Sequence, residues 1–497
     1  MELNHLINLL KEQGIDAVAT SELSDVAFSH ITEDSRKVTH RSIFVAVSGE
    51  HLHGYDYVDA AVSQGAVAII GQRSVAELSG YPAHTPYIQV PHARQALGCV
   101  AHALVDFPSR SLQVVGITGT NGKSSTAMMI HHILQHAGHN SACLGTLGYS
   151  VGGAEHEASR TTPFPEDLAN LFKQAYNAGD THLVMEVSSH ALEQDRVAGI
   201  EFDVAVFTNL SQDHLDYHSD METYLNEKLK LFKKLDPLTG ISIANSDDDS
   251  WGKVKAASEA QHISFGVSSD VSASEIKMKN NRTQFKLKTP WGNSPCDMAL
   301  LGHHNISNAL AAVSVCGQLG VYLEQLKEGL KTLPVVPGRF EAVDAAQDFQ
   351  VVVDYAHTDD GLLNVLKVSR ELCENRLIVI FGCGGDRDKS KRPKMAAVAA
   401  QWGDYSIITS DNPRSESPER ILMDVEVGMQ HAGKKRDVEY TVIEDRKEAI
   451  HAGMAMAQKG DLIMIAGKGH EDYQILNEGT IHFDDREVAR EWLEGHK

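Results

Sequence analysis

The stretch VVGITGTNGKSSTAMMIHHILQHAG, Val114 to Gly138, restricts the fold more than any other part of the chain. An apolar run of strand length enters a glycine-rich turn and leaves as a helical pattern. A buried strand followed by a helix is the unit of a parallel sheet, because parallel neighbours need a long crossover. Two later runs, HLVMEVSSH and FDVAVFTNL, also pass from apolar to polar, as do QVVVDYAH, RLIVIFGCGGDRD, DYSIITSDNPR and DLIMIAGKGHE beyond Val335. The predicted class is α/β, with the chemistry gathered at the carboxyl ends of parallel strands.

A chain of 497 residues is too long for one core and divides into about three domains. The predicted boundaries are residues 1–110, a small α/β domain; 111–334, a phosphate-loop domain; and 335–497, a Rossmann-like domain. A formal charge of −22 disfavours nucleic-acid or anionic-membrane binding as the main task. No apolar run is long enough to span a bilayer, and MELNHLINLLKEQG lacks the basic start and apolar stretch of a signal peptide. Six scattered cysteines without a CxxC pair point to reduced thiols and a cytoplasmic setting, not to a disulfide frame or a zinc site.

GTNGKSS, comprising Gly119, Thr120, Asn121, Gly122, Lys123, Ser124 and Ser125, is the strongest local signal. Glycines let N–H groups turn toward phosphate oxygens, and the following helix adds its positive end. Lys123 can reach the β- and γ-phosphates and Ser124 can place a hydroxyl on Mg²⁺. The spacing departs from G-x-x-x-x-G-K-[ST], since position 117 is Ile. Without an [NT]-K-x-D guanine-reading motif, ATP is favoured over GTP. Glu186, closing HLVME, and His214, in FTNLSQDH, are candidate metal ligands at other strand ends, although His is an unusual partner for Mg²⁺.

Other signals carry less. His132 and His136 lie four apart but lack the Glu of H-E-x-x-H, so they read as surface or packing residues. In FGCGGDRD, Arg387 occupies the third-glycine position of a dinucleotide fingerprint, which argues against NAD. KLKLFKK reads as a solvated helical face. Asp354, Arg387, Arg414 and Glu471 fall at strand ends of one predicted sheet. Arg414 follows an Asn-Pro corner and can be a surface charge, an ion-pair partner or a clamp on a substrate carboxylate.

Taken in order, GTNGKSS, EVSSHALEQDRV, TNLSQDHLDYH, HHNISNALAA, PGRFE, DYAHT, GCGGDRDKSKRP, DNPR and AGKGHEDYQ make the chain resemble the Mur ligases from about Thr32 nearly to its end. The resemblance implies three domains, for a UDP-linked precursor, for ATP and for an incoming amino acid, in an enzyme acting as a monomer. It implies ATP-dependent addition of meso-2,6-diaminopimelate to the D-glutamate of UDP-MurNAc-L-Ala-D-Glu through an acyl phosphate, in peptidoglycan synthesis. Lys123, Glu186, His214 and Lys228 are then catalytic, with Ser124, Glu186, His214 and Lys228 around Mg²⁺. Lys228 matches a lysine that relatives carbamylate. Asn305, Asn308, Arg339, Asp354 and His357 match nucleotide-contact motifs, and Ser35, Thr161, Thr162, Ser188, Gln194 and Arg196 match precursor contacts. Arg387, Asp411, Asn412, Pro413, Arg414, Gly467 and Glu471 match the diaminopimelate site. Arg414 would then bind the distal carboxylate and repel the ammonium of lysine.

The chain departs from the family pattern in places. Asp359 stands where Pro is usual, His53 replaces a common Asp before Gly54, and Glu50 and His51 also differ. The alternatives are a lysine-adding or paralogous ligase on a related precursor, a folate-type ligase, and a non-catalytic nucleotide-binding regulator.

Overall fold

The computed structural model describes residues 1–23, 25–49, 53–78, 81–82, 84–279 and 282–496. Glu50 and His51 lie outside the described residues. The β-branched runs read from the sequence are strands buried on both faces, as in Val204–Phe207 and Leu377–Phe381. They assemble into three main sheets.

The first sheet has five strands, in the spatial order Val18–Ala19, Tyr87–Gln89, Ala66–Gly71, Ser42–Ala46 and His30–Thr32. The second has eight, with Val204–Phe207, Gln113–Thr118 and His182–Glu186 side by side and parallel at its centre. Their register sets Glu186 opposite Ile117 and Phe207 opposite Thr118. The loop after Thr118 therefore lies between Glu186 and the chain that follows Phe207. Helices Lys123–His136 and His303–Gln318 pack on one face of this sheet and bury Ile130, Ile133, Ala309 and Val313.

The third sheet has six strands, with Gln350–Asp354, Leu462–Ala466, Leu377–Phe381 and Tyr405–Ile408 parallel and adjacent. Asp354 and Phe381 both pair with Ala466, so the loops starting at Tyr355, Gly382, Thr409 and Gly467 share one edge. An antiparallel sheet of Ser272–Lys279, Arg282–Thr289 and Gly292–Met298 was not anticipated. Its middle strand alternates buried Thr283, Phe285 and Leu287 with exposed Gln284, Lys286 and Lys288. No helix is long and apolar enough to cross a membrane among the described residues.

Candidate active site

Two glycines shape the turn between Thr118 and the helix Lys123–His136. Gly119 has φ 147°, and a Cβ there would run into the Thr208 hydroxyl. Gly122, the helix N-cap, has φ 85° and lies against Asn308. The Thr208 hydroxyl donates to the Asn121 carbonyl at 2.6 Å and ties the turn to the neighbouring strand end. Gly122 offers no side-chain cap, and the first N–H groups of a helix have no intrahelical partner, as an anion-binding turn requires.

Two lysine side chains meet at this turn. Lys123 Nζ donates to the carbonyls of Gly119 and Thr120 at 3.0 and 2.9 Å, and Lys228 Nζ donates to Gly119 at 2.8 Å. Lys228 is 1% exposed on a helix whose sequence reads as a basic solvated face. Burial, and then Lys123, hold its pKa well below the usual lysine value. Burial likewise lowers Lys123, with Glu186 and Asp213 opposing. Two lysine side chains converging on one carbonyl oxygen at a helix N-terminus fit a polyphosphate site.

Two of the four predicted metal positions share a cavity. Ser124 and Glu186 line one small cavity of about 130 Å³. The Glu186 carboxylate accepts from the Thr146 N–H at 2.8 Å. His214, at φ 55°, sits beside Asp213, and burial pushes its pKa down to about 3 against the pull of that carboxylate. No group of three or more His, Cys, Asp or Glu side chains converges as a cage among the described residues. A hydroxyl and one carboxylate beside a phosphate turn suit Mg²⁺, which keeps waters and shares phosphate oxygens.

Next to the turn is a cleft of about 410 Å³. Asn121, Gly122, Ser125, Asn305 and Asn308 line one wall; Arg339, Asp354 and His357 line the other. The structure thus brings the nucleotide-site candidates together from segments far apart in sequence. Arg339 stacks over the Tyr355 ring at 4.6 Å, and Asn121 Nδ2 donates to Asp360 across the cleft at 3.0 Å. Asp213 binds the two sides as well, lying 3.6 Å from Lys391 and 3.8 Å from His357. Burial opposes its ionisation, but His357, Lys391 and His214 hold its pKa well below the usual carboxylate value.

Five precursor-site candidates form a continuous network. Thr161 bonds Thr146, Thr162 donates to the Glu186 carbonyl at 2.8 Å, and the Ser188 N–H donates to Thr162. Arg196 donates to Gln194 and to the Thr162 carbonyl and stacks on Phe164. Ser35 opens a 3-10 turn capped by Asp34, and no hydrogen bond or ion pair joins it to this network among the described residues. Its neighbour Glu33 comes nearer, its carboxyl pushed up by burial and held back by Arg94 and Arg196.

The DNPR loop lies at the shared edge of the third sheet. Arg414, at φ 54°, donates to the Gly385 carbonyl at 2.7 Å and lies against Gly384, close to the stem of Arg387. Neither arginine forms an ion pair among the described residues. Asn412 donates to Glu471 at 2.9 Å. Asp411, Asn412 and Pro413 are buried, and Gly467, at φ 123°, faces Asp411. Lys468, Asp213, Lys391, Asp360 and Tyr355 were not singled out in the sequence. Each adjoins or falls within a motif already noted, and that adjacency was the available signal.

The family description "Mur ligase family, catalytic domain" matches residues 27–104, "Mur ligase middle domain" residues 117–316, and "Mur ligase, glutamate ligase domain" residues 338–469. A UDP-N-acetylmuramoyl-L-alanyl-D-glutamate–2,6-diaminopimelate ligase of Geobacillus thermodenitrificans is 43% identical over 464 residues, 92% of this chain and 93% of that one. The protein of the same name from Syntrophomonas wolfei is 41% identical over 498 residues, covering 100% and 99%. A solved structure bearing that name superimposes with a TM-score of 0.68 at 30% identity, covering 96% of this chain and 97% of the other. With the phosphate turn, the two-walled cleft and this likeness along the whole length, the chain belongs to the Mur ligase family.

Proposed function

We propose that this enzyme adds meso-2,6-diaminopimelate to the D-glutamyl carboxylate of UDP-MurNAc-L-Ala-D-Glu, with cleavage of ATP, in the cytoplasm and as a monomer. The observation that carries the reading is the pair Arg387 and Arg414 beside Gly384, without carboxylate partners among the described residues, next to the Asn412–Glu471 pair. A distal carboxylate and a distal amine on one amino acid match that arrangement. The names of the relatives above point the same way.

In this reading the turn Gly119–Ser125 and Lys123 hold the phosphates, while Asn305, Asn308, Arg339, Asp354 and His357 hold the rest of the nucleotide. Thr161, Thr162, Ser188, Gln194 and Arg196 hold the precursor, with Ser35 toward its uridine end. The D-glutamyl carboxylate becomes an acyl phosphate, the amine of the amino acid attacks its carbonyl carbon, and phosphate departs. Ser124 and Glu186 would hold Mg²⁺, with His214 and carbamylated Lys228 nearby; the metal supplies charge neutralisation at phosphate oxygens. Lys228 is suited to carbamylation because its burial favours the neutral amine that adds CO₂.

The test is phosphate release with ATP, Mg²⁺ and the precursor, comparing meso-diaminopimelate, L-lysine and no amino acid. Turnover with diaminopimelate alone is expected. Equal turnover with lysine would overturn the assignment of the amino acid.

A further inference from the structure

Lys468 is 0% exposed at the floor of the DNPR loop. Its ammonium donates to Asn412 Oδ1 at 3.1 Å and to Glu471 Oε2 at 3.2 Å, and lies 3.7 Å from Asp411 Oδ1. A fully buried ammonium is tolerated only where such partners compensate its lost hydration. We propose that Lys468 is a positioning and selectivity residue for the incoming amino acid, acting through Asn412 and Glu471. The inference rests on the diaminopimelate reading given above.

Two effects follow from the geometry. An asparagine amide can present either end, and here Lys468 and the Ile475 N–H, at 3.0 Å, both donate to Oδ1. The Nδ2 group is thereby fixed toward Glu471 Oε2. Glu471 Oε2 is in turn engaged by Lys468 and Asn412, while among the described residues Oε1 meets only the Tyr355 hydroxyl, at 3.5 Å. One carboxylate oxygen stays available at a defined position.

The second effect is on charge. With Lys468 present, the carboxylates of Asp411 and Glu471 are partly neutralised from within the protein. An amino acid whose distal end is a bare ammonium gains less from them than it would in an acidic pocket. One that also carries a distal carboxylate still gains from Arg414. Lys468 therefore works with Arg414 against lysine by weakening the attraction lysine would otherwise find.

Amino-acid-dependent phosphate release by wild type, Lys468→Met and Lys468→Gln, with saturating ATP and precursor, tests this. Both variants are expected to raise KM for meso-diaminopimelate about tenfold or more. Both should also narrow the kcat/KM preference for it over L-lysine about tenfold, with KM for ATP and precursor within about twofold of wild type. Lys468→Gln keeps a donor for Asn412 without the charge, so it should hold KM better than Lys468→Met yet lose the preference equally. An unchanged preference, equal damage to all three KM values, or loss of a cooperative melt in both variants would overturn the proposal. Failure of wild type to use diaminopimelate would instead overturn the reading of the substrate, and the wild-type arm reads that out separately.

Discussion

Arg414 shows how one side chain acquires meaning from its surroundings. Its left-handed backbone and its bond to the Gly385 carbonyl aim the guanidinium across Gly384. Arg414→Ala should lower kcat/KM for diaminopimelate about 10- to 100-fold, the size of a charge-assisted contact of about 1.5–3 kcal/mol, and leave KM for ATP unchanged. Lys228 makes a different prediction. Because burial depresses its pKa, the neutral amine persists at pH values where a solvated lysine is fully protonated. ¹³C-labelled bicarbonate should therefore give a carbamate signal that disappears in Lys228→Met. His102 is buried with neither ring nitrogen hydrogen-bonded among the described residues, and burial pushes its pKa to about 3. The folded state refuses a proton that the unfolded state takes near its ordinary value of 6.5. Stability is thus full above that pH and falls toward pH 3, by about 1.36 kcal/mol per unit for each such proton. His182, His304 and His470 share the direction. His102→Phe should flatten the dependence of melting temperature on pH between 6.5 and 4.5.

At the scale of elements, the turn after Thr118 is the least replaceable. Gly119→Ala combines a backbone conformation that favours glycine with a collision at Thr208, so activity should fall at least about 100-fold and stability by about 2–3 kcal/mol. Thr208→Ala in the same chain should recover stability more than activity, since it removes the clash but leaves φ unsuited to alanine. Strands such as Val204–Phe207 were legible because a strand buried on both faces must be apolar throughout. The sheet Ser272–Met298 was not, because only its middle strand shows a clear alternation, while the flanking SASEIKMK and GNSPCDM carry few apolar residues. Asp359 is accounted for by position. It is the first residue of the helix Asp359–Leu372, where a carboxylate favours the helix dipole and where Pro is equally at home. The burial of Lys228 could not be read locally, since its partner carbonyl is 109 residues away. Lys468 was obscured in the same way, its partner Asn412 being 56 residues distant.

Across the whole molecule, the contacts between the phosphate turn and the third sheet are polar. Asp213 faces Lys391 and His357, Asn121 meets Asp360, and Gln212 donates to Asp388 at 2.9 Å. Asp213→Asn should lower kcat about tenfold or more and make the remaining activity less sensitive to salt than that of wild type, since the attraction that salt screens is gone, measurable by phosphate release in rising KCl. The cleft that this contact helps to close has one wall from before residue 334 and one from after it. Any ligand filling it staples two blocks of the chain, and the staple strengthens by about 2.7 kcal/mol at a hundredfold excess over Kd. Val335, between the segments that supply the two walls, is 52% exposed. Limited proteolysis of this segment should therefore slow when nucleotide is added, so that a filled cleft would protect the chain as well as feed its reaction.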